Sequence, residues 1–369
     1  MSPKHIIQVS SYYPPHLGGQ ENAVQDLACQ LAGAGHRVEV LTSTEGGGTA
    51  GASLEHGVRV NRLSGPVFGH APILPWLPLI LLFSSSAGTV VHLHIGQAFT
   101  PEVVWLVSKL RRFKYVAELH IDFEPSGPVG VLLPLYKKFV LKKVLQSADF
   151  IVALNEKTLR AVRESYGYTG RAEIMSNGID DAYFTLTRAP QGTTPPQTAR
   201  LLFVGRLSKQ KNVTALLKAL TLTTRPVQLT IVGEGEERSL VEKTIAHYGL
   251  TNVTLSGRLD RAEVMRCYET YDALVMPSLY EAQPLVLLEA MAARIPIIGT
   301  NVIGVAEHIK NVGIIVEPTA EGLAGGIEQY NEQYSRLPAK IERGRRIADN
   351  LRWAHLLGKY EALYEALGN

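Results

Sequence analysis

The stretch "RLLFVGRLSKQKNVTALLKAL" (200–220) carries the pattern that decides the fold class. It opens with an apolar, β-rich run that stops at a glycine. A polar loop with several cations follows, and the last part has apolar residues at helical spacing. A strand, a loop and a helix in this order make half of a βαβ unit, whose strands are parallel. Because the same alternation recurs on both sides of this stretch, we predict an α/β fold of parallel sheets covered by helices on both faces.

The alternation breaks once, at the proline-rich and small-polar segment "TRAPQGTTPPQTA" (187–199), which predicts a linker. We therefore predict two Rossmann-like doubly wound domains, at 1–186 and 200–345. Such sheets bind ligands at the carboxyl ends of their strands, so a cleft is the expected site if the two sheets face one another. In the first domain, strands are predicted at "HIIQVS" (5–10), "RVEVLTS" (37–43), "VRVNRL" (58–63), "TVVHLHI" (89–95), "KYVAELH" (114–120) and "DFIVAL" (149–154).

The composition is that of an ordinary globular protein. Of 369 residues, 46% are hydrophobic and 19% charged, and the net charge of +3 with no long basic run argues against nucleic acid as a partner. Two distant cysteines, Cys29 and Cys267, suit a reducing compartment. The N-terminus shows no signal-peptide core, and the apolar run at 71–83 is too short to span a bilayer. We expect a cytoplasmic protein.

Two loops that follow predicted strands could bind an anion: one carries a pair of glycines and the other carries two cations. Gly18 and Gly19 precede a helix, where backbone amides can approach an anion, although a routine loop explains the pair equally well. Arg206 and Lys211 follow the strand that ends at Gly205. At a strand end, Arg can bind two phosphate oxygens while Lys acts as a point charge, so this pair suits a diphosphate; two solvated side chains are the alternative.

A third motif places two carboxylates around a helix start. In "SLYEAQPLVLLEAMAARIPIIGT", Glu281 lies before the helix and Glu289 about one turn inside it. Pro284 is expected as the first helical residue, where its missing N–H costs nothing. The amides of Leu285 and Val286 then form an anion site. Helix capping and a solvated face are the alternative roles, but the arrangement suits a sugar diphosphate, with phosphates on amides and hydroxyls on glutamates.

Three histidines and one glycine-rich run are further candidates for substrate, metal or nucleotide binding. His120 ends a predicted strand before the Gly/Pro-rich loop "IDFEPSGPVG", where it could bind substrate, move a proton or have a structural role. His92 and His94 share one face of a strand, and without an acidic or Cys partner at metal spacing we expect packing and hydrogen bonding. The run "IVGEGEER" lacks the third glycine of a dinucleotide fingerprint, because Arg238 stands there.

Taken together, these motifs resemble those of the retaining nucleotide-sugar glycosyltransferases of family 4, which have the two-domain GT-B fold. The Glu281-x7-Glu289 spacing, the GR-x4-K run and the double-glycine loop are the most specific matches. The matching segments follow the family's order over nearly the whole chain: "YYPPHLGGQENAVQDLACQLAGAGHRVEVLTS", "SADFIVALNEKTLRAVRESYG", "NGIDDAYF", "LLFVGRLSKQKN", "LTIVGEGEERSLVEK", "NVTLSGRL" and "PSLYEAQPLVLLEAMAARIPIIGT".

The resemblance implies a metal-independent hexosyltransferase without a cofactor. The donor would be a nucleotide-diphosphate sugar, expected to be UDP-linked, bound mainly by the domain at 200–345. The acceptor hydroxyl, on a glycan, a glycolipid or a small molecule, would bind the domain at 1–186, and transfer would retain the anomeric configuration. Residues 346–369 would form a helix that crosses back to the N-terminal domain. Synthesis of cell-envelope polysaccharide is the expected setting.

The resemblance also implies a role for each candidate residue. Arg206 and Lys211 would clamp the diphosphate, Glu281 would lie beside the reacting sugar, and the amides of Leu285 and Val286 would contact the phosphates. Further roles are implied for Glu289 (ribose), Arg258 (base), Gly18 and Gly19 (a loop closing over the donor) and His120 (near the sugar). One departure leaves donor choice open: the family's glycines after the first glutamate are replaced here by Ala282, Gln283 and Pro284.

Two questions stay open at this level. The lysine-rich stretch "YKKFVLKKVL" (136–145) would suit peripheral contact with the inner face of a membrane, but its lysines spread over more than half of a helical circumference. A non-hydrolysing nucleotide-sugar epimerase and a non-catalytic nucleotide-sugar-binding scaffold are the rival functions. The epimerase is not expected to combine GR-x4-K with the glutamate pair, and the scaffold would show no turnover.

Overall fold

The computed structural model describes residues 3–16, 18–68, 71–86, 88–120, 133–188 and 194–368. Two predicted segments lie outside the described residues in whole or in part. These are the Gly/Pro-rich loop at 121–130 and the middle of the predicted linker, residues 189–193.

The chain divides into two compact units, and it passes from one to the other twice. Unit 1 comprises Met1–Gly178 with Trp353–Asn369, and unit 2 comprises Ile179–Arg352. The first crossing therefore comes earlier than the predicted bound at residue 186, and the second comes at 352/353 instead of 345/346.

The early crossing has a packing reason. Ile179, Tyr183 and Phe184 are buried in the same apolar cluster as Leu287 and Leu288, which belong to unit 2. Burying a large apolar side chain contributes about 1.5–3 kcal/mol, so these three residues tie their segment to the second unit.

Unit 1 is built on one sheet with helices on both faces. The sheet has the strand order β10-β9-β8-β7-β1-β2-β4-β3, parallel except for the antiparallel pair β3–β4. Its strands are β1 His5–Ser10, β2 Arg37–Ser43, β3 Gly51–Glu55, β4 Val58–Leu63, β7 Thr89–Ile95, β8 Lys114–Leu119, β9 Phe150–Ala153 and β10 Arg171–Ile174, and a separate hairpin is formed by β5 Val67–Phe68 and β6 Ala71–Pro72.

Alternate residues of β1 show how the sheet is covered. Ile6 packs in a cluster with residues of the first and the last helix of the chain, whereas Ile7 packs in another with helical residues from 77–84, 100–111, 137–146 and 156–164. The helices of unit 1 are α1 Gly19–Gly33, α2 Leu77–Ser84, α3 Thr100–Arg111, α4 Leu133–Tyr136, α5 Lys142–Gln146, α6 Glu156–Glu164 and α15 Trp353–Gly368, and a π-helical turn, Lys137–Leu141, joins α4 to α5.

Unit 2 is a fully parallel doubly wound sheet. Its order β13-β12-β11-β14-β15-β16 reverses direction between β11 and β14. Doubly wound sheets bind ligands at such a reversal, outside the carboxyl ends of the strands. The strands are β11 Ala199–Val204, β12 Val227–Val232, β13 Val253–Gly257, β14 Ala273–Met276, β15 Ile297–Thr300 and β16 Ile314–Val316.

Helices cover both faces of this sheet as well. Leu201 and Leu202, adjacent in β11, belong to opposite clusters, because successive side chains of a strand point to opposite faces. The helices are α7 Ala182–Thr185, α8 Val213–Leu220, α9 Arg238–Tyr248, α10 Arg261–Thr270, α11 Leu285–Ala292, α12 Ala306–Ile309, α13 Ala320–Glu332 and α14 Leu337–Asp349, with 3₁₀ turns at Lys209–Lys211 and Tyr334–Arg336.

Candidate active site

The loop after β11 presents the two predicted phosphate-binding cations differently. Arg206 is about half exposed, and its Nε lies 3.9 Å from Oε2 of Glu236. Lys211 ends a 3₁₀ turn, and its Nζ contacts the carboxylate of Glu281. The structure therefore brings Lys211 and Glu281 together across the strand reversal, while Arg206 extends toward solvent.

The loop after β14 holds Glu281 from several sides. Its side chain is only 7% exposed. Ser278 donates a hydrogen bond of 2.8 Å to Oε1, and the side-chain amide of Gln210 lies 3.4 Å from Oε2. A nearly buried carboxylate needs such partners, because leaving it unpaired costs several kcal/mol, about 3–5 by mutational data. Glu281 thus has a fixed position between the loops that follow β11 and β14.

The helix start after Glu281 differs by one residue from the prediction. Pro284 has φ −73° and ψ 117°, so it is the N-terminal cap, and α11 begins at Leu285. Its carbonyl accepts from the amide of Leu287 at 3.1 Å. The amides of Leu285 and Val286 are then those of the first two helical residues, which lack partners within a helix. These are the two amides for which an anion contact is predicted, although the proline is not the first helical residue.

Glu289 lies one turn inside α11, as predicted, and two buried tyrosines hold it. The hydroxyl of Tyr268 donates to its Oε2 at 3.0 Å, and Tyr183 is hydrogen-bonded to the same carboxylate. Burial, reinforced by Glu289, raises the pKa of both tyrosines above the usual value. Both hydroxyls therefore stay protonated and can donate. Arg258 follows β13 directly and is exposed.

In unit 1, the double glycine forms the start of α1. Gly18 is the N-cap, with φ 170° and ψ 162°, and Gly19 is the first helical residue. Glu21, in the first turn, is buried, and its Oε1 lies 2.8 Å from Nδ1 of His16. A side chain on Gly18 would collide with the Glu21 carboxylate, whereas Gly19 has open space around its Cα. A side chain at position 18 would therefore displace the Glu21 carboxylate from its place beside His16.

His120 is buried just beyond the end of β8 at Leu119. Its Nε2 lies 2.9 Å from Nδ1 of His94 and 3.4 Å from Oε1 of Glu118. Burial lowers the pKa of His120, and Glu118 opposes this by raising it. The ring is therefore part of a buried network at the strand ends of unit 1.

The expected hydrogen bonding of His92 and His94 is present, but the premise that they lack an acidic partner is wrong. Glu118, on the neighbouring strand β8, is the register partner of His94. Its Oε2 lies 3.0 Å from Nε2 of His92. Ligand atoms of His92, His94 and Glu118 lie within 4.8 Å of one another, a geometry that could hold a metal ion.

Other supporting residues also escaped the sequence-based prediction. Ser278, Gln210, Tyr268 and Tyr183 contact predicted residues from 3 to 106 positions away along the chain. Of these four residues, only Ser278 could have been found from the sequence, because its hydroxyl follows a β-rich run and stands three residues before Glu281.

Comparison with known proteins defines the class. The model for "Glycosyltransferase Family 4" matches residues 17–183, and the model for "Glycosyl transferases group 1" matches residues 187–347. Glycogen synthase of Mycobacterium tuberculosis is 30% identical over 377 residues, which cover 93% of this chain and 89% of that protein. The chain therefore belongs to the family-4 type of nucleotide-sugar glycosyltransferases, as its motifs predict.

Solved structures support the fold assignment. Sucrose-phosphate synthase from Thermosynechococcus elongatus matches with a TM-score of 0.80 and 21% identity, and the match covers 99% of each chain. The Anabaena protein Alr3699/HepE, in complex with UDP and glucose, matches with a TM-score of 0.76 and 17% identity, over 98% of this chain and 100% of that one. The predicted α/β class with two Rossmann-like domains, the GT-B fold, is confirmed.

Proposed function

We propose that this glycosyltransferase moves a hexosyl unit from a UDP-sugar to an acceptor hydroxyl, with retention and without a metal ion. The observation that carries the proposal is the contact between Lys211 and Glu281 at the strand reversal of unit 2. A cation for the diphosphate and a carboxylate for the sugar stand together where this sheet type binds its ligand. The UDP bound to the Anabaena relative also favours a uridine nucleotide.

Charge explains why a metal is not needed in this proposal. The departing diphosphate carries negative charge that Arg206, Lys211 and the first amides of α11 would neutralise. The diphosphate would replace Glu281 as the partner of Lys211. The Glu281 carboxylate, still held by Ser278 and Gln210, would accept hydrogen bonds from hydroxyls of the sugar. Glu289, oriented by Tyr268, would accept from the ribose, and Arg258 would contact the base.

Nucleotide binding tests the donor site. Thermal shifts are measured with UDP, GDP, ADP and dTDP, in EDTA, for the wild type and Lys211→Ala. The matched control is Lys218→Ala, which removes a half-exposed lysine from α8, where it pairs with Glu321 at 3.6 Å. We expect a shift with UDP that persists in EDTA and in the control but is lost in Lys211→Ala. Absence of any nucleotide shift in the wild type would reject the site.

Turnover separates the rival functions. The epimerase is not favoured by the family assignment, and a scaffold would bind UDP without consuming a UDP-sugar. We expect glycosyl transfer with an unchanged anomeric configuration, read from the anomeric proton coupling in donor and product. An inverted anomeric configuration would contradict the retaining mechanism. Nucleotide binding without transfer to any glycan, glycolipid or small-molecule acceptor would favour the scaffold.

We further propose that unit 1 contacts an anionic membrane surface, where a lipid-linked acceptor would be reached. Among the described residues, no helix is both long and apolar enough to cross a bilayer. Helices α2 and α3 pack together, and α3 packs on the π-turn and α5. Their exposed apolar side chains are Trp76, Leu79, Phe83, Leu106, Leu110 and Phe139, and Phe83 is 85% exposed.

The charge of this face suits anionic lipid. Lys138 and Lys143 are exposed in the same helical segment, and Lys109 and Arg111 lie in the last turn of α3. We expect co-sedimentation with vesicles containing phosphatidylglycerol but not with pure phosphatidylcholine, and loss of binding in Trp76→Ser/Phe83→Ser. The control Leu54→Ser changes an exposed apolar residue on β3. Equal binding of all variants, or of none, would reject this surface.

A further inference from the structure

A row of buried polar side chains crosses the sheet of unit 1. Gln8 lies on β1, His94 on β7 and His120 just after β8, and none is more than 5% exposed. They share the sheet face that packs on α1 and α15. Buried polar groups need hydrogen-bond partners. The backbone groups of α1 next to Gln8 therefore determine which nitrogen of each histidine carries a proton.

The backbone of α1 decides how the Gln8 amide is oriented. With its nitrogen toward the carbonyl of Val24, at 3.2 Å, the oxygen can accept from the amide of Ala28, at 3.3 Å. In the opposite orientation the oxygen faces only acceptors and the nitrogen only donors. The nitrogen is therefore the atom that faces Nε2 of His94, at 3.1 Å, and that ring nitrogen has to accept.

The orientation of Gln8 passes to both histidines. A histidine ring that accepts a hydrogen bond at one nitrogen is neutral and carries a single proton on the other. Since Nε2 accepts from Gln8, that proton is on Nδ1, which then donates to Nε2 of His120 at 2.9 Å. His120 in turn accepts at Nε2, and its own proton is on Nδ1.

We propose that Gln8 and His94 are positioning residues that hold His120 in the Nδ1-protonated tautomer. This inference rests on the proposed function, in which His120 lies near the sugar. There the ring meets a sugar hydroxyl as a hydrogen-bond donor and not as a base, because its Nδ1 carries a proton and its Nε2 faces His94 at 2.9 Å and Glu118 at 3.4 Å. The same row ties the ring to α1, the helix that begins at the double glycine.

A metal ion held by His92, His94 and Glu118 would exclude this arrangement. Nε2 of His94 faces Gln8, so the metal would take the lone pair of Nδ1, the atom that the proposal protonates. The two arrangements therefore make opposite predictions for one ring nitrogen.

Nitrogen NMR of the ring tests the proposal without any substrate. Two-bond proton–nitrogen spectra of the ¹⁵N-histidine-labelled full chain report which ring nitrogen is protonated, with assignments from His94→Gln and His120→Gln. We expect both rings to be protonated at Nδ1 alone in the wild type. Gln8→Met keeps the chain length but removes the donor, so we expect both tautomers of each ring to become populated. Gln146→Met, on α5, is the control and should leave both spectra unchanged.

The outcomes separate this inference from the proposed function. A wild-type His120 protonated at Nε2, or stoichiometric zinc in the purified protein, overturns the inference whatever the activity. If the wild-type tautomers are as expected but no sugar donor is consumed, the proposed function fails and the hydrogen-bonded row stands. If the wild type has the expected tautomers and also transfers sugar, Gln8→Met should lower kcat at least tenfold and leave the donor KM within about threefold. An unchanged kcat would overturn the positioning role.

Discussion

At the scale of single residues, the candidate donor site is built around one exchangeable charge pair. Lys211 is 20% exposed and Glu281 is 7% exposed, and each is predicted to contact a different part of the donor. Ser278 and Gln210 provide Glu281 with polar partners besides the lysine. The lysine can therefore be released to a diphosphate without leaving the carboxylate unpaired.

Glu281→Gln tests this exchange. The amide keeps the shape of the side chain but removes the charge that competes with phosphate for Lys211. We expect UDP to bind at least as tightly as in the wild type and turnover to fall at least tenfold, since a hydrogen bond to a charged group is worth about 1.5–3 kcal/mol. Calorimetric titration and initial rates measure the two effects.

The matched control for that variant is Glu321→Gln, which removes the carboxylate of the exposed pair with Lys218. An exposed pair contributes little to stability, so neither UDP affinity nor turnover should change. Full turnover in Glu281→Gln would contradict the placement of Glu281 beside the sugar.

Because His94 is buried, we predict that the protein loses stability as the pH falls. Burial lowers its pKa from 6.5, with His92 and His120 acting in the same direction. Below pH 6.5 the unfolded chain binds a proton that the folded chain does not, so stability falls as pH falls through that value, by up to about 1.4 kcal/mol per pH unit. Glu118, whose pKa is lowered, adds its own loss only below its usual 4.5.

Denaturant unfolding between pH 8 and 5 measures this slope. We expect it to be shallower in His94→Gln than in the wild type. His247→Gln, which changes an exposed histidine on α9, should leave the slope unchanged. Equal slopes in all three proteins would mean that His94 is protonated in the folded state.

At the scale of elements, glycines bring two strand ends of unit 2 together. Gly233 follows β12 with φ 140°, and a side chain there would collide with the carbonyl oxygen of Gly205, which follows β11. A side chain on Gly235 would collide with Leu207 in the same way. The glycines of "IVGEGEER" therefore shape the loop that carries Arg206, although they do not form a dinucleotide fingerprint.

Gly233→Ala should destabilise unit 2 by about 2–4 kcal/mol, because it combines an unfavourable φ with a backbone collision. It should also weaken UDP binding, since the loop of Arg206 has to move. Gly325→Ala, within α13 where nothing lies near the added methyl, is the control and should be neutral or slightly stabilising. Chemical unfolding and UDP titration compare the two, and equal stabilities would disprove the close approach.

The strands and helices were predictable wherever the chain alternates hydrophobic strands with amphipathic helices. The β1, β2, β4 and β7 bounds agree with the predicted ones because each is a short run rich in β-branched and other apolar residues. Partners that meet through sheet register were not predictable. Glu118 joins His94 only once β7 and β8 are aligned, and Tyr364 reaches His92 from 272 residues away.

At the scale of the whole molecule, α15 completes the core of unit 1 from the far end of the chain. Its buried side chains are Trp353, Leu356, Tyr360, Leu363 and Tyr364. They share a cluster with Val24 and Leu27 of α1. At about 1.5–3 kcal/mol for each large apolar side chain, their loss would approach or exceed the net stability of a typical domain, about 5–15 kcal/mol.

Deleting residues 353–369 should therefore unfold unit 1 and leave unit 2 folded. Hydrogen exchange read by mass spectrometry should show fast exchange in β1 and β7 and preserved protection in β11 and β12. Glu365→Ala, an exposed position on α15, is the control and should change neither unit. Full protection of β1 in the deletion variant would show that unit 1 does not need the helix.

The way α15 closes unit 1 has a consequence for synthesis of the protein on the ribosome. All of unit 2 lies between Gly178 and Trp353 in the sequence, so it is translated before the helix that unit 1 needs. Unit 2 can reach its native state as soon as it leaves the exit tunnel, whereas one face of the unit 1 sheet is until then covered by α1 without α15. Most of unit 1 is thus translated first but folds last. Chaperones that bind nascent chains would bind the apolar surface that unit 1 exposes until α15 is made.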